Sequence, residues 1–324
     1  MKIFSFILVL FLQLTLTAQN RELKLVTDAW PPFTDFPGNK SILTTLTQEA
    51  LYRTGVNSDM TIIEFANVAG EIDKGVYDGC PAYWETEERL AKYHFSKPYM
   101  YNQLILVGRK GSAVTARSFT ELEGKRIGIV QNYAYGNFEG REGVEIVEGK
   151  SNQHNLENLL SDKIDYMLVD ALLIQYMLKY QLNDVTAHLA IGQTPMMVKS
   201  LHLAIHKQVE GGAEILKAFD EEITEMRKDG TFNRILEFNW VKADIDGDGN
   251  MELVLGGELA GTSAPENIYG LMMDQTFMEN NSPNRYYIDG KLYESWDDVP
   301  KSYKLDLPVD DTPSEKDVPV KLKF

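Results

Sequence analysis

At 324 residues the chain is long enough for two domains with cores of their own, and 44% hydrophobic and 10% aromatic content suit a soluble globular protein. A net charge of −16, with no cluster of Lys and Arg to offset it, opposes nucleic acid and anionic membrane surfaces. The single cysteine, Cys80, excludes an intramolecular disulfide.

Met1 and Lys2 precede the uncharged run IFSFILVLFLQLTL, and Ala18 follows at a suitable cleavage point. That is the layout of a signal peptide over 1–18; the run is shorter than the ~20 residues of a spanning helix. The alternative is an N-terminal membrane anchor. No later stretch approaches transmembrane length, and no cysteine ends the signal to carry a lipid. We expect a soluble, monomeric protein of the periplasm.

From 22 to about 240, strand and helix signals alternate. LKLVT (23–27) reads as a strand, and after WPPF the residues Ile42, Leu46 and Ala50 recur at helical spacing up to a cap at Gly55. TIIEF (61–65) is a second strand, followed by a short helix around Val68 and Ile72 and by the extended segment VYDGCPAYW. A second cycle opens with KRIGIV (125–130). It passes through a helix carrying Leu156, Leu159 and Leu160, then DYMLVD (165–170) and the apolar helix ALLIQYMLKYQL. LHLAIHK (201–207) is a strand, and the amphipathic helix of Ile215, Phe219, Ile223 and Met226 stops at Gly230. This βα alternation predicts an α/β fold with largely parallel sheets. Strand-like crossovers near 101–108 and 199–206 divide it into two lobes with a cleft between them. Residues 241–324 differ in character: 17 acids against 8 bases, many turns and no long helical period. They read as a separate acidic extension with short β-structure at best.

TEERLAKYHFSKPY (86–99) carries Thr86, Glu88, Arg89, Phe95, Ser96, Pro98 and Tyr99 in one register. With WPPF, LEGKRIGIV, DYMLVD and EEITEMRKDGTFNRIL in the same order, this stretch resembles the type II periplasmic solute-binding proteins of amino-acid ABC transporters. The resemblance covers about 22–240. It implies a bilobal domain over 19–240, with lobe one about 19–104 and 202–240 and lobe two about 105–201, closing on a small ligand. The partners it implies are that ligand and an ABC permease or a membrane sensor. Arg89 then binds the ligand's carboxylate, for which a planar guanidinium fork is suited; the competing reading pairs it with Glu85, Glu87 or Glu88. Asp170 takes the ligand's ammonium, caps the helix from Ala171, or does both. Trp30 and Phe65 sandwich the ligand side chain, and Thr86 belongs to the same binding set. Asp28 and Phe33 are structural neighbours of that wall.

Three departures mark a distinct branch. Trp84 stands where the family has Ser or Thr, Ala82 replaces a Gly, and QNYAYGN (131–137) places bulky Tyr133 and Tyr135 at a usually small turn. The ligand is accordingly amino-acid-like without being a standard amino acid by default. Within the acidic extension, DIDGDGNMELVLGG (244–257) spaces Asp244, Asp246, Asp248, Asn250 and Glu252 at alternate positions, which suits Ca²⁺ and its hard oxygen ligands. The twelfth position is Leu255 and a strand follows, so the loop over 244–252 resembles integrin-type FG-GAP repeats rather than an EF-hand. A bare acidic turn is the alternative. His202 and His206 lack a companion ligand, and Cys80 lacks a His to activate it, so both read as structural. The expected activity is solute capture without catalysis. An enzyme on the same fold, similar to cyclohexadienyl dehydratase, and a signalling or adhesion module are the alternatives.

Overall fold

LKLVT forms β1 (Glu22–Thr27), parallel to β2 (Asn57–Ile62) and bridged to β3 (Gly79–Trp84) at Leu25. Alternation along β1 buries both faces. Leu23 and Leu25 join the cluster of Leu43, Leu46 and Leu51 from α1 (Ile42–Arg53), while Val26 faces Val68 and Ile72 of α2 (Phe65–Asp73). The second strand begins at Asn57, ahead of the apolar TIIEF core, because its register follows β1 from Glu22 onward. Next come α3 (Glu87–Lys92) and β4 (Tyr93–Phe95).

The computed structural model describes residues 22–39, 41–136, 142–257, 260–261, 264 and 284–304. The expected signal segment 1–18, the last residue of the loop 131–137 and the tail beyond 304 lie outside the described residues.

Lobe two holds β6 (Arg126–Val130), β7 (Glu145–Gly149) and β8 (Tyr166–Asp170), all parallel, with α4 (Asn152–Leu160) and α5 (Ala171–His188). The half-exposed β7 has too little apolar content to announce itself in the sequence. The link between lobes is a pair of long antiparallel strands, β5 (Met100–Arg109) and β9 (Leu189–His206). The lobe-one end of β9 pairs with β3 at 201–205, and β5 pairs with β8 at 104–108. The short ribbon near 100–103 and 198–201 carries the chain between the two halves. The sheet order is β2-β1-β3-β9-β5-β8-β6-β7, with β4 beside β9. At Gly79 the β3 backbone lies so near β9 that a Cβ would sit 2.0 Å from the Ala204 carbonyl oxygen.

The chain returns to lobe one through α6 (Gly212–Lys228) and α7 (Thr231–Leu236). It then forms a second sheet, β10 (Trp240–Ala243), β11 (Glu252–Leu255), β12 (Arg285–Ile288) and β13 (Lys291–Tyr293), in that order. Its strands are short, as expected. It is nevertheless packed onto the main body, since Val241, Ala243 and Val254 belong to the same core cluster as Phe232 and Leu236. The opposite face, with Trp240, Leu253, Tyr286 and Ile288, closes a small core of its own. Asn233 ties α7 to β11 by donating to the Val254 carbonyl at 2.9 Å.

Candidate functional site

The position of Arg89 decides between the two readings of its sequence neighbourhood. Thr86 caps α3, its hydroxyl accepting from the Arg89 amide at 3.2 Å, and Glu87 and Glu88 sit in the first turn, where the helix dipole favours acids. Glu85, Glu87 and Glu88 are exposed. The half-buried guanidinium turns the other way: Nη1 donates to the Trp84 carbonyl at 2.8 Å, and the guanidinium carbon lies 3.6 Å from the centre of the Tyr83 ring. Among the described residues no carboxylate pairs with Arg89.

That side of Arg89 faces a small cavity of about 20 Å³, lined by Asp28, Trp30, Phe65, Ala82, Tyr83, Trp84, Arg89, Tyr133 and Ala134. Lobe one supplies the first seven and lobe two the last two. Trp30 is set by a tight turn in which its amide and carbonyl both bond Thr34, at 2.7 and 3.0 Å, and its ring lies 4.2 Å from Phe33. Phe65 opens α2. Opposite them, Asn132 takes a left-handed φ of 65°, and the chain then delivers Tyr133 into the cleft.

Of the residues expected from sequence, Arg89, Trp30, Phe65, Trp84 and Tyr133 meet here. Thr86, Tyr135 and Asp170 do not line the cavity. Thr86 is the helix cap. Tyr135 is buried behind Trp84, 5.6 Å between ring centres, and its hydroxyl accepts from the Val130 amide. Asp170 is buried as the cap of α5: Oδ1 accepts from the Leu172 amide at 2.7 Å and Oδ2 from Asn102 Nδ2 at 2.5 Å. Asn102 in turn accepts from Trp84 Nε1 at 2.7 Å. Asp170 thus supports the cleft wall through Asn102, and desolvation raises its carboxyl to about 7.

Tyr83 and Asn102 are the site residues that sequence reasoning missed, and Asp28, expected only as a structural neighbour of the wall, lines the cavity itself. Burial raises the Asp28 carboxyl, opposed in part by the hydrogen bond from Tyr133. The WPPF element holds Asp28 in place, because Thr34 Oγ1 donates to its carbonyl at 2.7 Å. Burial likewise pushes the Tyr83 phenol up to about 12. Cys80 is buried with its thiol raised to about 12, which leaves it without thiolate character at neutral pH. His202 is buried with Nδ1 2.7 Å from the Ser96 carbonyl.

In the acidic loop, carboxylate oxygens of Asp244, Asp246 and Glu252 lie within 4.8 Å of one another. Asp248 points to Arg285, with Nη2 at 3.0 Å, and the same guanidinium bonds the buried Glu252 and lies 3.6 Å from Asp246. The Asp248 carboxyl is held below its usual range, first by the Asn250 backbone amide and then by Arg285. Asp244 accepts the amides of Gly247 and Gly249 at 2.7 and 3.1 Å, which folds the turn around itself.

The profile of the bacterial extracellular solute-binding proteins, family 3, matches residues 24–242. The L-cystine-binding protein TcyJ of Escherichia coli (strain K12) is 30% identical over 162 residues, 49% of this chain and 58% of that protein. The probable amino-acid-binding protein YxeM of Bacillus subtilis (strain 168) is 26% identical over 183 residues, 55% of this chain and 67% of that protein. Both relatives are named as binding proteins, the second as a probable one. Among solved structures, an ancestral arginine-binding protein bound to arginine superposes with a TM-score of 0.55 at 24% identity, covering 67% of this chain and 96% of that one. The glutamate-bound GluR0 ligand-binding core of Nostoc punctiforme gives 0.56 at 16%, with 66% and 97% covered. At such identities the likeness is one of fold, and it is the two-lobed fold described above. Among the described residues no helix is long and apolar enough to cross a membrane. By the extent of the profile match and the order of its elements, the chain belongs to family 3 of the bacterial extracellular solute-binding proteins.

Proposed function

We propose that the protein captures a small amino-acid-like solute between its lobes and delivers it to an ABC permease or a membrane sensor, after export to the periplasm directed by residues 1–18. The observation that carries this reading is Arg89: a guanidinium on the cleft wall, positioned by a backbone carbonyl and an aromatic face, with no carboxylate of the described residues as its partner. A ligand carboxylate completes it. Asp28, on the same cleft, takes the ligand's ammonium, with Asp170 behind the wall holding Asn102. The aromatic lining suits an apolar or disulfide-bearing side chain, in keeping with the cystine named for one relative. The test is a thermal-shift screen of ligand-stripped protein against cystine, arginine and other amino acids, each beside its decarboxylated amine. We expect a rise in Tm with at least one amino acid and none with the matching amine. Equal shifts from acid and amine would remove Arg89 from ligand binding.

We also propose that the 244–252 loop takes Ca²⁺. Three carboxylates converging within 4.8 Å match the spacing of oxygens around one cation with bonds of about 2.3–2.6 Å. Asp244, Asp246 and Glu252 would hold it, with the Asn250 carbonyl, and Arg285 competes as a cation already in place. Titration calorimetry should show Ca²⁺ binding that tightens in Arg285→Gln. Absence of heat at millimolar Ca²⁺ in both proteins leaves the loop an acidic turn clamped by arginine.

A further inference from the structure

Tyr133 is the lobe-two side chain that enters the cavity among the aromatics of lobe one. Its ring meets Phe65 at 5.0 Å, Trp84 at 5.8 Å and Trp30 at 6.0 Å between centres, each edge-on or T-shaped. Its hydroxyl donates to Asp28 Oδ2 at 3.0 Å, crossing from one lobe to the other. What remains of the cleft is about 20 Å³, whereas sites for small organic ligands are about 300–1,000 Å³. The slot is therefore filled by the protein's own phenol.

We propose that Tyr133 is an internal latch: it holds the ligand-free cleft shut by occupying the aromatic slot and bonding Asp28, and a solute binds only after displacing it. The geometry has the parts of such a device. The lobes are joined by a narrow two-stranded ribbon that can twist, and opening must also part Tyr135 from Trp84 and strain the Tyr176 hydroxyl bond to the Leu236 carbonyl. The phenol–carboxylate bond is partly buried, which strengthens it relative to an exposed one. Burial and the neighbouring Asp28 both push the Tyr133 phenol well above its ordinary value, so the hydroxyl stays protonated and donating across the physiological range. Edge-on contacts with three rings favour the seated conformation without locking it, each pair contributing on the order of 1 kcal/mol or less beyond its buried area. The consequence for binding is a discount: the apparent affinity falls by the fraction of molecules whose cleft is open. A solute that offers a ring or apolar group to the slot and a donor to Asp28 recovers what Tyr133 gives up, so the latch also selects.

The latch is a property of the ligand-free protein, whatever the solute. Small-angle scattering of the full chain, stripped by unfolding and refolding, should give a compact particle matching the closed structure. Tyr133→Ala should expand it. Tyr133→Phe keeps the ring and loses only the bond to Asp28, and it should raise the open-to-closed ratio about two- to tenfold. That change is read as faster hydrogen exchange in peptides covering 128–136, where the Tyr135 amide bonds the Tyr133 carbonyl. Asp28→Ala should give the same increase, and Asp28→Ala with Tyr133→Phe no more than either alone. A stripped wild type already as expanded as Tyr133→Ala overturns the latch, as does Tyr133→Ala remaining compact. If Tyr133→Ala does not fold, the exchange cycle decides: unchanged or additive rates reject the proposal. A failed ligand screen with a positive cycle removes the proposed solute class and leaves the latch, and the reverse outcome does the opposite.

Discussion

Arg89→Ala should abolish capture of whichever amino acid scores in the thermal-shift screen while leaving the fold intact. A buried carboxylate that loses its guanidinium partner typically costs about 2–5 kcal/mol of binding, roughly 30- to 5,000-fold in Kd. The structure says why the fold should survive. Arg89 holds no described acid, and its loss frees one carbonyl, that of Trp84, and one face of Tyr83. Arg89→Lys separates charge from geometry: an ammonium keeps the sign but not the planar fork, so it should recover only part of the affinity. Calorimetry on the two variants, with circular dichroism as the folding control, checks this. An unchanged Kd in Arg89→Ala would return the arginine to a structural role.

Asn102→Ala should be among the most destabilising single substitutions in the chain, about 2–5 kcal/mol, because it strands two buried groups at once: the Trp84 indole N–H and one oxygen of Asp170. Asn102 itself is fully buried, so water does not replace it. The same variant should change the pH dependence. The Asp170 carboxyl stands at about 7 in the folded protein against 3.8 as its ordinary value, raised by desolvation and restrained by Asn102. Between those pH values the folded state binds the extra proton, so this group's contribution to stability is complete below about pH 3.8 and is lost as pH rises towards 7. Without Asn102 the loss should extend to higher pH. Asp170→Asn should remove this group's share of the slope. Urea midpoints of the three proteins between pH 4.5 and 8 test both statements; parallel profiles would show that Asp170 does not titrate in this window.

The parts of this molecule legible in its sequence are those encoded locally. Alternation in LKLVT and KRIGIV, the helical spacing of Ile42, Leu46 and Ala50, and the cap Asp170 all act within a few residues and reappear in the structure. The binding-protein family was legible because TEERLAKYHFSKPY fixes a register around Arg89. What was not legible depends on partners distant in sequence. Asn102 looks like any polar residue in a strand until it is seen between Trp84 and Asp170, 68 residues onward. Asp28 acquires its place in the cleft only when Tyr133 arrives from the other lobe, 105 residues away. The C-terminal sheet was read as separate because its strands are three or four residues long. No local period reveals that Val241, Ala243 and Val254 face the main core. Arg285 likewise lies 33 residues from Glu252, too far for the acidic loop to announce its own counter-charge.

The route of β9 fixes an order of dependence between the lobes. Lobe two is built from one uninterrupted stretch, whereas lobe one has β3 near residue 80 and the β9 segment that pairs with it at 201–205. Between them lies all of lobe two, so the first lobe's sheet is open on that edge until nearly the whole binding domain exists. During synthesis or export the N-terminal lobe is thus the last to be finished, and a chain ending before Leu201 lacks the β9 partners of Cys80, Tyr83 and Trp84. The cleft wall that carries Arg89 is assembled at the close of folding, and no shorter fragment can display it.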